Sequence, residues 1–405
     1  FKYTIMKKFV LSILLVFFTL CFGFSQKSTA ENSIWNEKTF SGLEFRSVGP
    51  AFMAGRLSDI AIDPKNENVW YAAVSSGGLW KTINAGTTWK PLTDKESFYA
   101  TGCVTIDPNN SGTIWLGTGE NNGGRHIGIG HGIYRSDDGG ESWKNMGLKN
   151  TERISKIQVH PKNSNIIYVA AQGHLWDAHA DRGVYKTMDS GKTWKKVLFV
   201  DKNTGCADLS LDKNNPDVIY AAMWDHRRTP DFFTSGGKGS GLYKSTDGGL
   251  TFSNISNGLP NESKFVVKHH PFTTNNSIYV GTALGVYHRN DDTNSWEVFS
   301  TNLPNVAVPD IEINPFDSKI TAATYGRSVW QSAIPAITLP NVDVDLAKVK
   351  ASDASEVVGC GDFTFTPSIT VNNNGQNTLT SFVVNYNLDG GSNQTFNWTG
   401  SILSN

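Results

Sequence analysis

Five acidic residues on three long, glycine-bearing segments are where this 405-residue chain could do chemistry. Glu120 lies in "GENNGGRHIGIGHG" (119–132) and Asp177 and Asp181 in "QGHLWDAHADRG" (172–183). Asp225 and Asp231 lie in "WDHRRTPDFFTSGGKGSG" (224–241). Cleaving a glycosidic bond takes two carboxylates placed across it, one of them held protonated. These five are the candidates for such a pair, and the sequence singles out none of them as catalytic. The same segments carry Arg125, His126, His174, Trp176, Arg182, Trp224, His226, Arg227 and Arg228. An indole offers a polar ligand such as a sugar an apolar face, while arginine, histidine and Asp225 supply directional hydrogen bonds around it. The leading expectation is a binding cleft for a glycan or a protein, with hydrolysis as the alternative.

Other chemistries find little support. No CxxC or HExxH spacing occurs, so no metal and no cofactor is expected. A formal net charge of -1 gives no reason to propose nucleic acid as partner. Of the four cysteines, Cys21 falls in the leader described below; Cys103, Cys206 and Cys360 remain, an odd number that excludes a full intramolecular disulfide framework.

The elements that must position these segments repeat. An apolar strand ending in Asp-Pro or its equivalent recurs as "DIAIDP" (59–64), "CVTIDP" (103–108), "KIQVHP" (156–161), "DLSLDK" (208–213), "VVKHHP" (266–271) and "DIEINP" (310–315). A second apolar strand follows each, then a third, which enters an acidic turn, and a fourth that begins at the aromatic after it. The turn reads "KTINAGTTW" (81–89), "RSDDGGESW" (135–143), "KTMDSGKTW" (186–194), "KSTDGGLTF" (244–252) and a worn "HRNDDTNSW" (288–296). Four short antiparallel strands per repeat make the blade of a β-propeller. The fold class is all-β, with six blades over 43–334, or seven if 30–45 adds an irregular one. The sixth repeat lacks an acidic turn and a fourth strand, so "LEFRSVG" (43–49) is expected to close the ring from the N-terminal side.

The acidic turn reads as a joint. Its carboxylate accepts backbone N–H groups within its own turn, glycine supplies positive φ, and the aromatic anchors the turn. Asn84, Asp138, Asp189, Asp247 and Asp291 are thus structural, and an amide at Asn84 can cap as a carboxylate does. This pattern resembles the Asp-box (BNR) repeat of sialidases, sortilins and glycoside hydrolases. The wording "GRLSDIAIDP…SSGGLWKTINAGTTW…GTGENNGG…GIYRSDDGGESW" is similar to secreted bacterial proteins labelled sortilin-like or glycosyl-hydrolase-like. The resemblance implies a propeller and leaves activity open. It fits a sialidase poorly, since "FRSVGP" (45–50) half-matches and Arg46 reads as part of the closing strand. The catalytic aspartate signature of two-propeller xyloglucanases is not recognisable. A sortilin-like peptide binder remains a further alternative.

Strand order assigns the faces. Acidic turns and first-to-second turns share one face; the three long segments, all second-to-third connections of blades two to four, share the other and should cluster there. Asp59, Asp208 and Asp310 recur on innermost strands, where they read as polar groups near a water-filled axis more readily than as a cation site.

At the start, "MKKFVLSILLVFFTLCFGFSQ" reads as a signal peptide over 6–25 after a five-residue overhang, with 26–42 as an N-terminal segment. The expected protein is secreted or at the cell surface, monomeric, and without a membrane span after cleavage. Beyond a linker at 335–341, residues 342–405 have hairpin signals at "NNNGQ" and "LDGG". They resemble a partial CARDB-like, immunoglobulin-type β-sandwich of Bacteroidetes proteins exported by type IX secretion.

Overall fold

The computed structural model describes residues 55–271, 273–315, 317–335, 344–350, 368–373, 377–386, 392 and 394–403. The expected signal peptide, the segment 26–42, the closing strand 43–49, nearly all of the linker and Cys360 lie outside them. So does 30–45, the source of a seventh blade.

Six antiparallel sheets follow one another along the chain as a β-propeller. Blade one is Leu57–Asp63, Asn66–Val74, Gly78–Thr82 and Lys90–Pro91, hydrogen-bonded in that order. Blade two is Thr101–Asp107, Asn110–Thr118, Ile133–Ser136 and Lys144–Asn145, and blade three Ile154–His160, Asn163–Ala171, Gly183–Thr187 and Lys195–Leu198. Blade four is Thr204–Leu211, Ile219–Arg228, Gly241–Ser245 and Ser253–Asn254, and blade five Lys264–His269, Ile278–Thr282, Gly285–Arg289 and Glu297–Val298. Blade six has three described strands, Asp310–Asn314, Lys319–Ala323 and Val329–Ala333. Two separate hairpins follow, Val344–Lys350 with Ser368–Asn373 and Leu379–Tyr386 with Gln394–Ile402.

Second strands read as unbroken apolar runs because both of their faces are covered. In blade two, Ile114 and Leu116 pack toward blade one with Tyr71 and Leu79, while Trp115 between them packs toward blade three with Ile157 and Val169. The period of two thus distributes one strand between two cores. Comparable cores join blades three to four, four to five and five to six. In blade one, Ile60 and Ile62 of the innermost strand stay about half exposed.

The acidic turns face the same way as the first-to-second turns. Ala85, Gly139, Ser190 and Gly248 each donate a backbone N–H to the start of the second strand of their own blade or the turn just before it, at Asn68, Gly112, Asn165 and Asp217, over 2.9–3.1 Å. Within the turn, Asp138 accepts from the Ser142 N–H (2.9 Å) and hydroxyl (2.5 Å) and from Ser136 (2.7 Å). Asp189 and Asp247 repeat this with Thr193 and Thr251. These hydrogen bonds, from the following hydroxyl first, draw both carboxyls down to about 2. Asn84 accepts from the Thr88 N–H and donates to its hydroxyl, both at 2.9 Å, as an amide must.

The turn also latches neighbouring blades. Tyr71 and Lys81 of blade one both donate to the Gly139 carbonyl of blade two at 3.0 Å. Tyr168 and Lys186 of blade three do the same to Gly248 of blade four at 2.9 and 2.7 Å.

Asp291 departs from the expected role. Thr293 occupies the place of a positive-φ glycine, a conformation a β-branched residue resists, and Asn294 takes the left-handed position instead (φ 51). The turn re-forms around Asn290, which accepts from the Thr293 N–H at 2.9 Å. Asp291 leaves its own turn to accept from Asn276 at 2.5 Å and to pair with Lys244 at 3.5 Å. Tyr220, equivalent to Tyr71 and Tyr168, is left without a hydrogen-bond partner among the described residues. Tyr71→Phe or Tyr168→Phe is therefore expected to cost about 1 kcal/mol in urea unfolding, while Tyr220→Phe leaves stability unchanged or raises it, since only the first two lose a bond.

Candidate functional site

The three long second-to-third connections meet on the face opposite the acidic turns, and a buried arginine joins them. Arg153, at the entry to blade three, is fully buried. Its Nη1 donates to the Asn122 carbonyl of the blade-two connection at 2.9 Å, and its Nε to Gly173 of the blade-three connection at 2.6 Å. Its Nη2 lies 2.6 Å from His226 Nε2 of blade four. A guanidinium only donates, so His226 Nε2 accepts, and the ring proton sits on Nδ1, which donates to the Trp224 carbonyl at 3.1 Å. Arg182 closes the cluster, donating to the carbonyls of Gln172, Asp177 and His174.

The blade-four connection is more regular than its composition suggests. Arg228, Arg227 and His226 prolong the second strand and pair with Phe233–Ser235. The hairpin lies against the blade-two connection: Arg228 donates twice to the Gly123 carbonyl, at 2.7 and 3.0 Å, and its guanidinium stacks on Phe233 at 4.6 Å.

These placements sort the residues expected to bind. Arg182, His226 and Trp224 are turned inward, with Trp224 only 5% exposed, stacked on His226 at 4.4 Å. The first two are out of a ligand's reach, and the role expected of them is corrected to holding the connections together. Arg125, His126 and Trp176 are exposed, Arg227 half-exposed, and Arg228 is engaged with Gly123. His174 stacks on His179 at 3.8 Å and lies 2.8 Å from Asp177 and 3.4 Å from Glu152.

Each of the candidate carboxylates has its own setting. Glu120 is fully buried and accepts from Arg56, Ser76 (2.5 Å), the Gly128 N–H (3.1 Å) and Asn122 (3.2 Å). Burial pushes its pKa up, but these four donors outweigh it and hold it below the ordinary value. That is the environment of a structural carboxylate. Asp181 pairs with His179 at 3.4 Å, and Asp231 is exposed and accepts from Thr229. Asp225 is half-buried, and burial lifts its pKa.

A cavity of 440 Å³ opens beside this cluster. Asn121, Gln172, Trp224, Phe265 and Tyr325 line it, together with the first-strand residues Asp59, Lys156, Asp208 and Lys268. There Lys156 reaches Asp59 at 3.3 Å and Lys268 reaches Glu312 at 2.7 Å. The lysines were the missed residues. The repeat column that holds Asp59, Asp208 and Asp310 reads lysine at 156, so a cation was already built in. Burial alone would lower the Lys156 pKa, but Asp59 and Asp208 hold it above the ordinary value. Asp208, 7% exposed, accepts the Val267 N–H at 3.0 Å, and burial lifts its carboxyl to about 6 despite the two lysines. Cys103 and Cys206 are buried free thiols.

Burial first, then Arg153 and Arg182, drive the His226 pKa far below the ordinary value. The folded state therefore holds the neutral ring, and the unfolded chain binds a proton below about pH 6.5. The stability this lends is complete above that pH and declines as pH falls. Urea midpoints are expected to drop between pH 7 and 5. The acid limb should flatten in His226→Gln, whose amide oxygen can still accept from Arg153.

Comparisons with known proteins agree with this architecture. The family pattern described as sortilin, neurotensin receptor 3 (Sortilin-Vps10) matches residues 131–237. Xyloglucanase Xgh74A of Acetivibrio thermocellus is 25% identical over 309 residues, covering 69% of this chain and 34% of that enzyme. A xyloglucanase of Hypocrea jecorina is 26% identical over 253 residues, covering 56% of this chain and 28% of its own length. The chain thus spans about a third of the length of the curated relatives it matches. The crystal structure of an ancestral GH74 enzyme aligns with a TM-score of 0.52 at 16% identity, over 80% of this chain and 44% of that one, a likeness of fold. Among the described residues, no helix is long and apolar enough to cross a membrane. The chain is a six-bladed β-propeller that is similar to the sortilin family over residues 131–237 and to xyloglucanases over a longer stretch.

Proposed function

We propose that this chain is a secreted or cell-surface propeller that binds a glycan in the 440 Å³ cavity. The observation that carries the reading is the convergence of three long connections at a cavity lined by Trp224, Phe265 and Tyr325. Aromatic edges beside the amides of Asn121 and Gln172 suit a sugar, which needs an apolar surface and directional partners together. The similarity to xyloglucanases favours a glycan over a protein ligand, and a β-glucan of the xyloglucan kind as its class. In this reading the two C-terminal hairpins belong to a CARDB-like module of a type IX-secreted Bacteroidetes protein, and the propeller acts as a monomer.

A glycan array followed by calorimetry with xyloglucan oligosaccharides tests the proposal on the whole chain. Tyr325 is 81% exposed, so Tyr325→Ala leaves the fold intact and is expected to weaken binding about tenfold, the loss of one aromatic anchor. Absence of glycan binding, or equal binding by this variant, removes the reading. Asp208 favours glycoside hydrolysis as a second reading, because a carboxyl at about 6 inside the cavity has the property of a general acid. Release of reducing ends from xyloglucan, lost in Asp208→Asn, would replace binding with hydrolysis. A peptide held along the axis, as in a sortilin-like receptor, would have to pass the Lys156–Asp59 and Lys268–Glu312 pairs.

A further inference from the structure

The worn acidic turn of blade five leaves a cavity of 180 Å³ between blades four and five, on the face opposite the long connections. Tyr220, Lys244, Ile255, Asn276, Arg289 and Asp291 line it. Two sibling interfaces within the molecule show what this place ordinarily holds. At Tyr71 with Lys81, and at Tyr168 with Lys186, hydroxyl and ammonium converge on one oxygen, the carbonyl of a turn glycine. Tyr220 and Lys244 are arranged in the same way, with the ammonium 5.6 Å over the phenol ring against 5.2 and 5.3 Å in the siblings.

The position of the glycine is taken by Asp292, and the turn has re-formed so that no carbonyl reaches the pair. Tyr220 is 1% exposed, and its hydroxyl has no partner among the described residues. A buried hydroxyl in that state costs stability unless an acceptor reaches it. The siblings show the acceptor's chemistry, an oxygen with lone pairs for both donors, supplied there by a neutral carbonyl with partial negative charge.

The worn turn also brings a second cation. Arg289 stands where the other turns have serine or threonine, and its guanidinium donates to Asn294 and, at 3.4 Å, to the Ile255 carbonyl. Asp291 is the carboxylate in the cavity; it accepts from Asn276 and is paired with Lys244, so one positive charge remains in excess. The volume equals that of roughly six waters in the liquid, enough for a small polyatomic anion. We propose that this cavity is a binding site for a small oxyanion, held by the Tyr220 hydroxyl, Lys244 and Arg289. The anion supplies the oxygen that glycine carbonyls supply at the sibling interfaces, so it also latches blade five to blade four.

Calorimetric titration of the whole chain tests this, with inorganic phosphate and acetate as separate probes at an ionic strength held constant with chloride. Saturable binding of at least one probe is expected, and the stronger of the two distinguishes a phosphate from a carboxylate ligand. Affinity should fall at least tenfold in Arg289→Gln and severalfold in Tyr220→Phe, which removes no existing hydrogen bond and so keeps the test valid if the arginine variant folds poorly. Tyr168→Phe, at a latch already satisfied, should bind as the parent does. No saturable binding, or equal binding by parent and Tyr220→Phe, overturns the proposal. Glycan binding and its loss in Tyr325→Ala concern the other face and are expected to be unchanged either way.

Discussion

Arg153→Ala is expected to lower the free energy of unfolding by about 3 kcal/mol or more and to abolish ligand binding at the cavity. Three acceptors would lose this donor at once: the buried Gly173 carbonyl, the half-buried Asn122 carbonyl, and His226 Nε2, which keeps only Arg182 at 3.4 Å. Each unsatisfied buried group costs about 1–3 kcal/mol, and the emptied volume adds to that. Among the described residues no carboxylate is paired with this arginine, so its removal strands no opposite charge there, and the loss is one of hydrogen bonds and packing. Burial first, then Arg182 beside it, lowers the guanidinium pKa to about 9, which still leaves it charged at neutral pH. Lysine offers a single ammonium in place of a planar fork and cannot serve acceptors on three connections, so Arg153→Lys should recover little. Urea unfolding reads the stability change. Limited proteolysis should find new cleavage within 119–132 and 224–241, the connections that Arg153 holds together.

Glu120→Ala carries the second large effect, with a stability loss of about 2 kcal/mol by urea unfolding, because it removes a buried, ionised acceptor from four donors, of which the Gly128 N–H is buried while Arg56 and Ser76 reach solvent. Glu120 ties the start of the blade-two connection to Arg56 and Ser76 of blade one, across 64 and 44 positions of sequence. Glu120→Gln keeps one carbonyl oxygen for these donors and should lose about half as much. The comparison separates structure from catalysis. A structural Glu120 gives a graded stability series with ligand affinity following the folded fraction; a catalytic one would give full stability in Glu120→Gln and a lost activity. The first outcome is expected, since a carboxylate held below its ordinary pKa by four donors is a poor proton donor.

Much of the frame could be read from residues in order. The six repeated strand pairs, the turns built on Asn84, Asp138, Asp189 and Asp247, and the length of the connections in blades two to four are local properties. A period of two, a turn that bonds to itself and a count of residues between strands all depend on near neighbours. Asp291 was misread because its turn keeps the acidic residue while Thr293 replaces the glycine that lets the chain turn.

What folding alone decided is the direction of side chains on those connections. His226 and Arg182 have the composition of a ligand surface, yet they point into the protein: Arg153, 73 positions before His226, supplies that ring's partner, and the carbonyls of Gln172, His174 and Asp177 take up Arg182. Likewise Asp59 meets Lys156 across 97 positions, so one member of an apparent set of carboxylates is an ion pair, while Asp208 takes the Val267 N–H. Strand period and turn chemistry are set by covalent geometry over a few residues. The partner of a polar group on a long connection is set by which blades the closed packing makes neighbours, and no short stretch of sequence contains that information.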